Sequence, residues 1–270
     1  MLSFGLNTSG QIVDTLIDFN SLASVIIQAK KGEKELWYGT GFFIKVKSTN
    51  YLNTNNHVVG GKCHTDDFKR RRNNDGKKDT LPDVISVRIF DKNLGAFKFE
   101  SLGLDDVKGN LLYTKFYENE KDENTLLDVV AIPIKGLNSI HGNVTVNGYD
   151  STSIGGIQLY NSQQLFVVGY PEKTDNFYPI WKSGTIASEP NFIYVGNSTF
   201  YIDATTRGGM SGSPVVFRDN KILRADGNLD FLSGLVTKLI GIYSAQNYNS
   251  ELGVVTRIET IYKKLYAISN

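Results

Sequence analysis

The sequence predicts an all-β protein, an antiparallel sandwich or barrel closed by one C-terminal helix. Short runs rich in Val, Ile, Phe and Tyr recur at 23–29, 36–46, 51–54, 84–91, 127–134, 164–168, 180–187, 192–195, 199–204, 214–217, 235–244 and 253–257. Gly, Asn, Asp and Pro punctuate them, supplying the turns that short strands need. Helical patterns of ten residues do not separate the runs, so the strand–helix alternation of a parallel sheet is excluded.

Taken in order, the chain opens with weak helical periodicity from Ile12 to Phe19 and then enters the strand-like runs. Between them lie a basic stretch, Lys69-Arg70-Arg71-Arg72-Asn73-Asn74-Asp75-Gly76-Lys77-Lys78-Asp79, and an acidic one from Glu118 to Glu123. Both read as solvated loops. The basic stretch has no interleaved aromatics and is flanked by Asp66, Asp67 and Asp79. At the end, Ile258, Ile261, Tyr262 and Leu265 recur at helical spacing, with Lys263 and Lys264 placed to complement a helix C-terminus.

Composition limits the partners. The chain has 270 residues, 29 basic and 28 acidic, for a net charge of +1. Near-neutrality argues against a nucleic-acid binder held by charge and gives no reason to expect a membrane surface. Cys63 is the single cysteine, which precludes an intrachain disulfide and is read most simply as a cytoplasmic setting. A signal-peptide pattern is not seen at the N-terminus, and no apolar run reaches the length of a membrane span.

Three segments carry chemistry. Thr206-Arg207-Gly208-Gly209-Met210-Ser211-Gly212-Ser213-Pro214 places a serine between glycines. Glycine lets the backbone turn so that successive amides converge on one point. A nucleophilic serine needs that setting, an exposed Oγ beside donors for a developing oxyanion. Of the three histidines, His57 stands at the end of a short strand whose preceding residues, Thr54-Asn55-Asn56, are polar, while nothing around His64 or His141 suggests a site. Asp128 opens the apolar run Val129-Val130-Ala131-Ile132, where a carboxylate is costly unless something pairs with it. An imidazole Nδ1–H is a suitable partner, and that bond leaves Nε2 free to take a serine proton.

The order His57, Asp128, Ser211 is that of the chymotrypsin-type triad, and the all-β pattern agrees with it. The segments themselves resemble the trypsin-like serine peptidases, in particular the bacterial HtrA-like branch. The matching motifs are Gly39-Thr40-Gly41-Phe42 with Thr54-Asn55-Asn56-His57-Val58-Val59, then Asp128-Val129-Val130-Ala131, and Gly208 to Pro214. Gly169-Tyr170-Pro171, Gly184-Thr185-Ile186 and Leu252-Gly253-Val254-Val255-Thr256-Arg257-Ile258 add to the likeness.

The resemblance implies one peptidase domain over 1–270 made of two packed six-stranded antiparallel barrels. The first occupies about 21–140 with insertions, the second about 141–256, and a helix follows at 257–269. It implies His57, Asp128 and Ser211 as catalytic residues, with the amides of Gly209 and Ser211 as the oxyanion hole. Thr205, Thr206, Ser244, Gln246 and Gly253 become substrate-binding residues, with polypeptide as substrate along 242–246. No cofactor or metal is implied. Met210 stands where zymogen-activated members carry an aspartate, so the loop must be ordered by something else or by a regulatory protein partner. The long interval between His57 and Asp128 predicts surface insertions near 62–83 and 100–125. No PDZ-like module is expected after the helix. Two other functions compete: a catalytically silent pseudoprotease that binds peptides, and a nucleic-acid binder using the 69–79 loop.

Overall fold

A computed structural model describes residues 17–60, 81–91, 96–119, 121, 126–134, 148–154, 157–172, 178–190, 198–224, 226–247 and 251–269. The N-terminal periodicity up to residue 16, the strand expected at 192–195, the 69–79 basic loop, Cys63, His64 and His141 lie outside the described residues.

The first lobe is a sheet made from β1 (Ser24–Lys31), β2 (Lys34–Val46), β3 (Thr49–Thr54), β4 (Val84–Asp91), β5 (Ala96–Gly103), β6 (Thr114–Tyr117), β7 (Leu126–Pro133) and β8 (Gly148–Tyr149). Its strands run in the order β5-β4-β1-β2-β3-β7-β6, with β8 beside β2. Alternation explains the inner face. Val25, Ile27 and Ala29 of β1 are buried, and the first two pack with Ile85 and Val87 of β4.

The second lobe consists of β9 (Gln164–Gly169), β10 (Ile180–Ile186), β11 (Thr199–Asp203), β12 (Pro214–Leu223), β13 (Leu229–Asn247) and β14 (Leu252–Arg257), which close into a six-stranded barrel. Three helices complete the chain: α1 (Phe19–Ala23), α2 (Asn56–Gly60) and α3 (Ile258–Ile268).

The all-β class, the two sheets and the terminal helix agree with the sequence reading, and three details differ. Among the described residues the first lobe has eight strands rather than six. β2 explains part of the difference: β1 pairs with it from Lys34 to Phe42, and β8 then takes over that flank, in parallel, at Phe43 and Ile44. The 100–125 interval is not simply a surface insertion. It contributes the end of β5 and all of β6, and Phe116 is buried in the core. Finally, His57 does not end a strand but sits in the one-turn helix α2 that follows β3.

Three apolar clusters hold the lobes. One lies within the first sheet around Ile27, Leu52 and Ile85, and one within the barrel around Leu165, Phe217 and Val255. The third joins both sheets to α3 through Phe42, Val129, Val168, Ile242, Ile258 and Leu265. This shared core brings the end of β3, the start of β7 and the 205–213 loop together.

Candidate active site

Asp128, the third residue of β7, holds His57 at two points. Its Oδ1 accepts the His57 backbone N–H at 3.0 Å, and its Oδ2 lies 2.7 Å from Nδ1. A carboxylate only accepts, so Nδ1 carries the proton and the neutral ring keeps its lone pair on Nε2. Both side chains are largely shielded, with 10% of His57 and 15% of Asp128 exposed, so water competes weakly for the pair. Asn55 braces the arrangement from behind. Its Nδ2 donates to the Asp128 carbonyl at 2.6 Å and reaches Ser244 Oγ at 3.3 Å. Ser244 is the residue that β13 adds where its register with β14 shifts between Tyr243 and Ala245. A bulge of this kind re-aims a side chain, here toward the first lobe.

The serine loop docks on the same stretch of β2. Thr40 N–H donates to Ser211 O at 2.8 Å, and an added Cβ on Gly39 would stand 2.7 Å from Val58 and 3.4 Å from Ser211 O. With no side chain, Gly39 lets α2 and the serine loop converge. Gly209 and Gly212 each hold a φ of +86°, the left-handed region that glycine tolerates at least cost.

The Gly208–Gly209 peptide has a defined orientation. Gly208 O accepts from Glu172 N at 2.7 Å. In a trans peptide the carbonyl and the next N–H point in opposite directions, so the Gly209 N–H faces away from Glu172. Neither Gly209 N–H nor Ser211 N–H donates to a backbone carbonyl among the described residues. One hydroxyl fixes the loop from the first lobe. Tyr170 N–H donates to Thr40 Oγ1 at 3.0 Å, and Thr40 Oγ1 donates to Gly209 O at 2.8 Å. Met210 is fully buried, in the apolar cluster of the barrel that also contains Tyr243 and Val255. Apolar packing and the Thr40 hydroxyl therefore order this loop.

Of the residues assigned to substrate from sequence, Thr206, Ser244 and Gly253 gather around Tyr243 of β13. Thr206 is buried, its hydroxyl bonded to that of Tyr243. Ser244 is buried, and Gly253 pairs with Gln246 across β13 and β14. Thr205 is exposed just outside this group. The sequence reading missed Thr40, Asn55 and Tyr243. For Thr40 and Asn55 the signal was present, because both stand inside the Gly-Thr-Gly and Asn-Asn-His motifs. Tyr243 gave only its place beside Ser244. Among the described residues no group of three or more His, Cys, Asp or Glu side chains is arranged to hold a metal.

Comparison with solved structures bears on the fold. The chain resembles Deg5, at 18% identity and a TM-score of 0.53, over 97% of both chains. It also resembles a serine endoprotease from Yersinia pestis, at 15% identity and a TM-score of 0.50, over 98% of this chain and 69% of that one. A third likeness is to the HtrA-type protease AlgW with a tripeptide, at 15% identity and a TM-score of 0.50, covering 92% of this chain and 60% of that one. Curated protein sequences yield no match. The family model described as the trypsin-like peptidase domain matches residues 39–223, more than half of the chain. That span begins at Gly39, where the two lobes meet, and runs past the serine loop, so the chain belongs to the trypsin-like peptidase family.

Proposed function

We propose that the protein is a serine endopeptidase, with Ser211 as nucleophile, His57 as general base and acid, and Asp128 as the group that orients His57. The observation that carries this is the two-point hold of Asp128 on His57, which fixes the tautomer with Nε2 unprotonated. Ser211 Oγ attacks the scissile carbonyl carbon while its proton passes to His57 Nε2, and the carbonyl π pair moves to oxygen. Asp128 stabilises the imidazolium. The amide N–H groups of Gly209 and Ser211 hold the oxyanion, each worth about 3 kcal/mol in comparable sites. As the oxygen pair returns, the C–N bond breaks and His57 gives its proton to the leaving amine. Water then attacks the acyl ester by the same route, releasing the acid and restoring Ser211. No metal or cofactor takes part in these steps. A polypeptide is the substrate, laid as an added strand against 244–246, beyond Ile242 and Tyr243, whose edge is already paired with Pro214, Ser213 and Gly212.

A small fluorophosphonate separates this reading from a silent peptide-binding module. Wild type should label covalently at Ser211 and lose a model polypeptide's intact band over time. Ser211→Ala should do neither. Absence of label on wild type, or equal label on Ser211→Ala, defeats the proposal.

A further inference from the structure

Arg88 of β4 lies outside the machinery described above, yet it reaches across to the second lobe. Ile85, Val87 and Ile89 of the same strand are buried in the core of the first sheet, so alternation turns Arg88 to the opposite face. Arg88 stands opposite Phe99 of β5, which puts Phe97 diagonally beside it on that face. The guanidinium carbon lies 5.2 Å from the centre of the Phe97 ring and 5.1 Å from that of Tyr170, cation–π distances to one aromatic of each lobe. Phe97 in turn meets Tyr178 edge-on, with ring centres 5.6 Å apart.

Tyr170 receives these contacts and passes them on. Its ring is buried, and its hydroxyl accepts from Arg88 and donates to Ser24 O at 3.3 Å. Its N–H donates to Thr40 Oγ1. Three strands of the first lobe, β1, β2 and β4, thus hold one residue of the second. The serine loop rests on the backbone that follows. An added Cβ on Gly209 would strike Tyr170 O and stand 2.9 Å from Glu172 N, and Glu172 N donates to Gly208 O. Residues 170–172 therefore set the orientation of the Gly208–Gly209 peptide, and what fixes Tyr170 fixes that peptide.

We infer that Arg88 is a positioning residue for the oxyanion hole, acting through Tyr170 and not by contact with substrate. With the guanidinium in place, Glu172 N–H keeps Gly208 O turned toward it, and the Gly209 N–H points the other way, to where the substrate carbonyl oxygen gains its charge. Without the guanidinium the Tyr170 hydroxyl loses its donor and the ring loses the cation over its face. Glu172 N–H then has no single place, and the Gly208–Gly209 peptide can rotate and carry the Gly209 N–H off the oxyanion. The inference rests on the serine endopeptidase reading and names the first-lobe group on which its oxyanion hole depends.

The test compares wild type, Arg88→Met and Arg88→Lys in steady-state cleavage of a model polypeptide, with kcat counted per site that a small fluorophosphonate labels to completion. Met keeps the apolar stem and removes the charge and the donors, whereas Lys keeps a cation over the two rings. Losing one oxyanion donor outright costs about 10²–10³ in kcat in comparable sites, so Arg88→Met should lower kcat at least about tenfold with KM within about threefold of wild type. Arg88→Lys should restore most of it. Loss of stability alone reduces the number of labelled sites and leaves kcat per site unmoved. Should Arg88→Met not fold, Tyr170→Phe takes its place, because it keeps the buried ring and removes only the hydroxyl; kcat should again fall with KM little changed. Wild-type kcat per site in the variant that folds, a KM that rises as far as kcat falls, or a loss in Arg88→Met that Arg88→Lys does not restore overturns the positioning role and leaves the peptidase reading standing. A wild type that neither labels nor cleaves overturns both.

Discussion

At the scale of single residues, the Thr40 hydroxyl links the two lobes and holds the serine loop in place. It accepts from Tyr170 N–H, donates to Gly209 O, and is fully buried. Thr40→Val keeps the shape and removes both bonds, stranding a buried donor and a buried acceptor at a cost of about 1–3 kcal/mol for each group left unsatisfied. On the proposed mechanism the expected result is a fall in kcat of at least tenfold with KM little changed, because there the Gly209 amide serves the oxyanion more than the bound substrate. Thr40→Ser should restore most of it. Steady-state peptide cleavage by the three proteins checks this, and a Thr40→Val enzyme with wild-type kcat would show that the loop is ordered without the hydroxyl. The contrast with Ser211 explains what the sequence could disclose. His57, Asp128 and Ser211 stood out in the sequence because few residue types do the chemistry proposed for them and their order along the chain is constrained, and the structure joins two of them, His57 and Asp128. Thr40 and Asn55 sat in the same motifs, but their roles arise from contacts with residues 169 and 73 positions away. Such partners have no local signature.

At the scale of elements, most strands were legible from β-branched runs and their punctuation, since β1, β4, β9, β11 and β14 lie within a residue or two of their sequence limits. The five-residue helix α1 was not, because it lacks the length for a periodic signal and is held by tertiary contacts. Asp18 caps it by accepting from Asn20 N at 2.9 Å and pairs with Arg218 of β12. Tyr149 OH of β8 donates to Asn20 Oδ1, and Trp181 Nε1 of β10 donates to Ser21 Oγ, both at 2.9 Å. The helix thus bridges the two lobes. Partial burial pushes the Asp18 carboxyl up, but the Asn20 bonds and the Arg218 guanidinium more than offset it and hold the group below its ordinary value. A depressed carboxyl stabilises the fold fully above its unfolded value and ceases to as pH falls through its lower folded value. Asp18 should therefore support stability at neutral pH and lose that contribution below about pH 4. Asp18→Asn retains a capping oxygen without the charge. Urea midpoints of wild type and Asp18→Asn, compared at pH 7 and at pH 3, should differ at the first and converge toward the second. A gap that stays constant across this range would place the stabilisation elsewhere.

At the scale of the molecule, the two lobes share their largest core, and α3 seals it. Ile258, Ile261 and Leu265 are fully buried in the cluster that also contains Phe42, Ile44 and Val129 of the first sheet and Val168, Val216 and Ile242 of the barrel. After the helix, Ser269 Oγ lies 2.8 Å from Tyr51 OH, and the Lys47 ammonium donates to Ser269 O, so the barrel's last element is tied to the first lobe. The apolar stripe of α3 was visible in the sequence at its helical spacing. Its partner was not, because the same stripe would cover either lobe equally well. A core common to both lobes predicts that they unfold together and that the site between them is lost in the same step. Leu265→Ala removes a buried side chain from that core, at a cost of about 2–5 kcal/mol. In a chain of this size each kcal/mol lowers Tm by about 2–4 °C. Calorimetry should show one transition for wild type and one for Leu265→Ala, shifted down by at least 4 °C, with cleavage activity lost along the same curve. Two separated transitions in the variant, with only one of them moved, would mean that the lobes fold independently and that α3 stabilises the barrel alone.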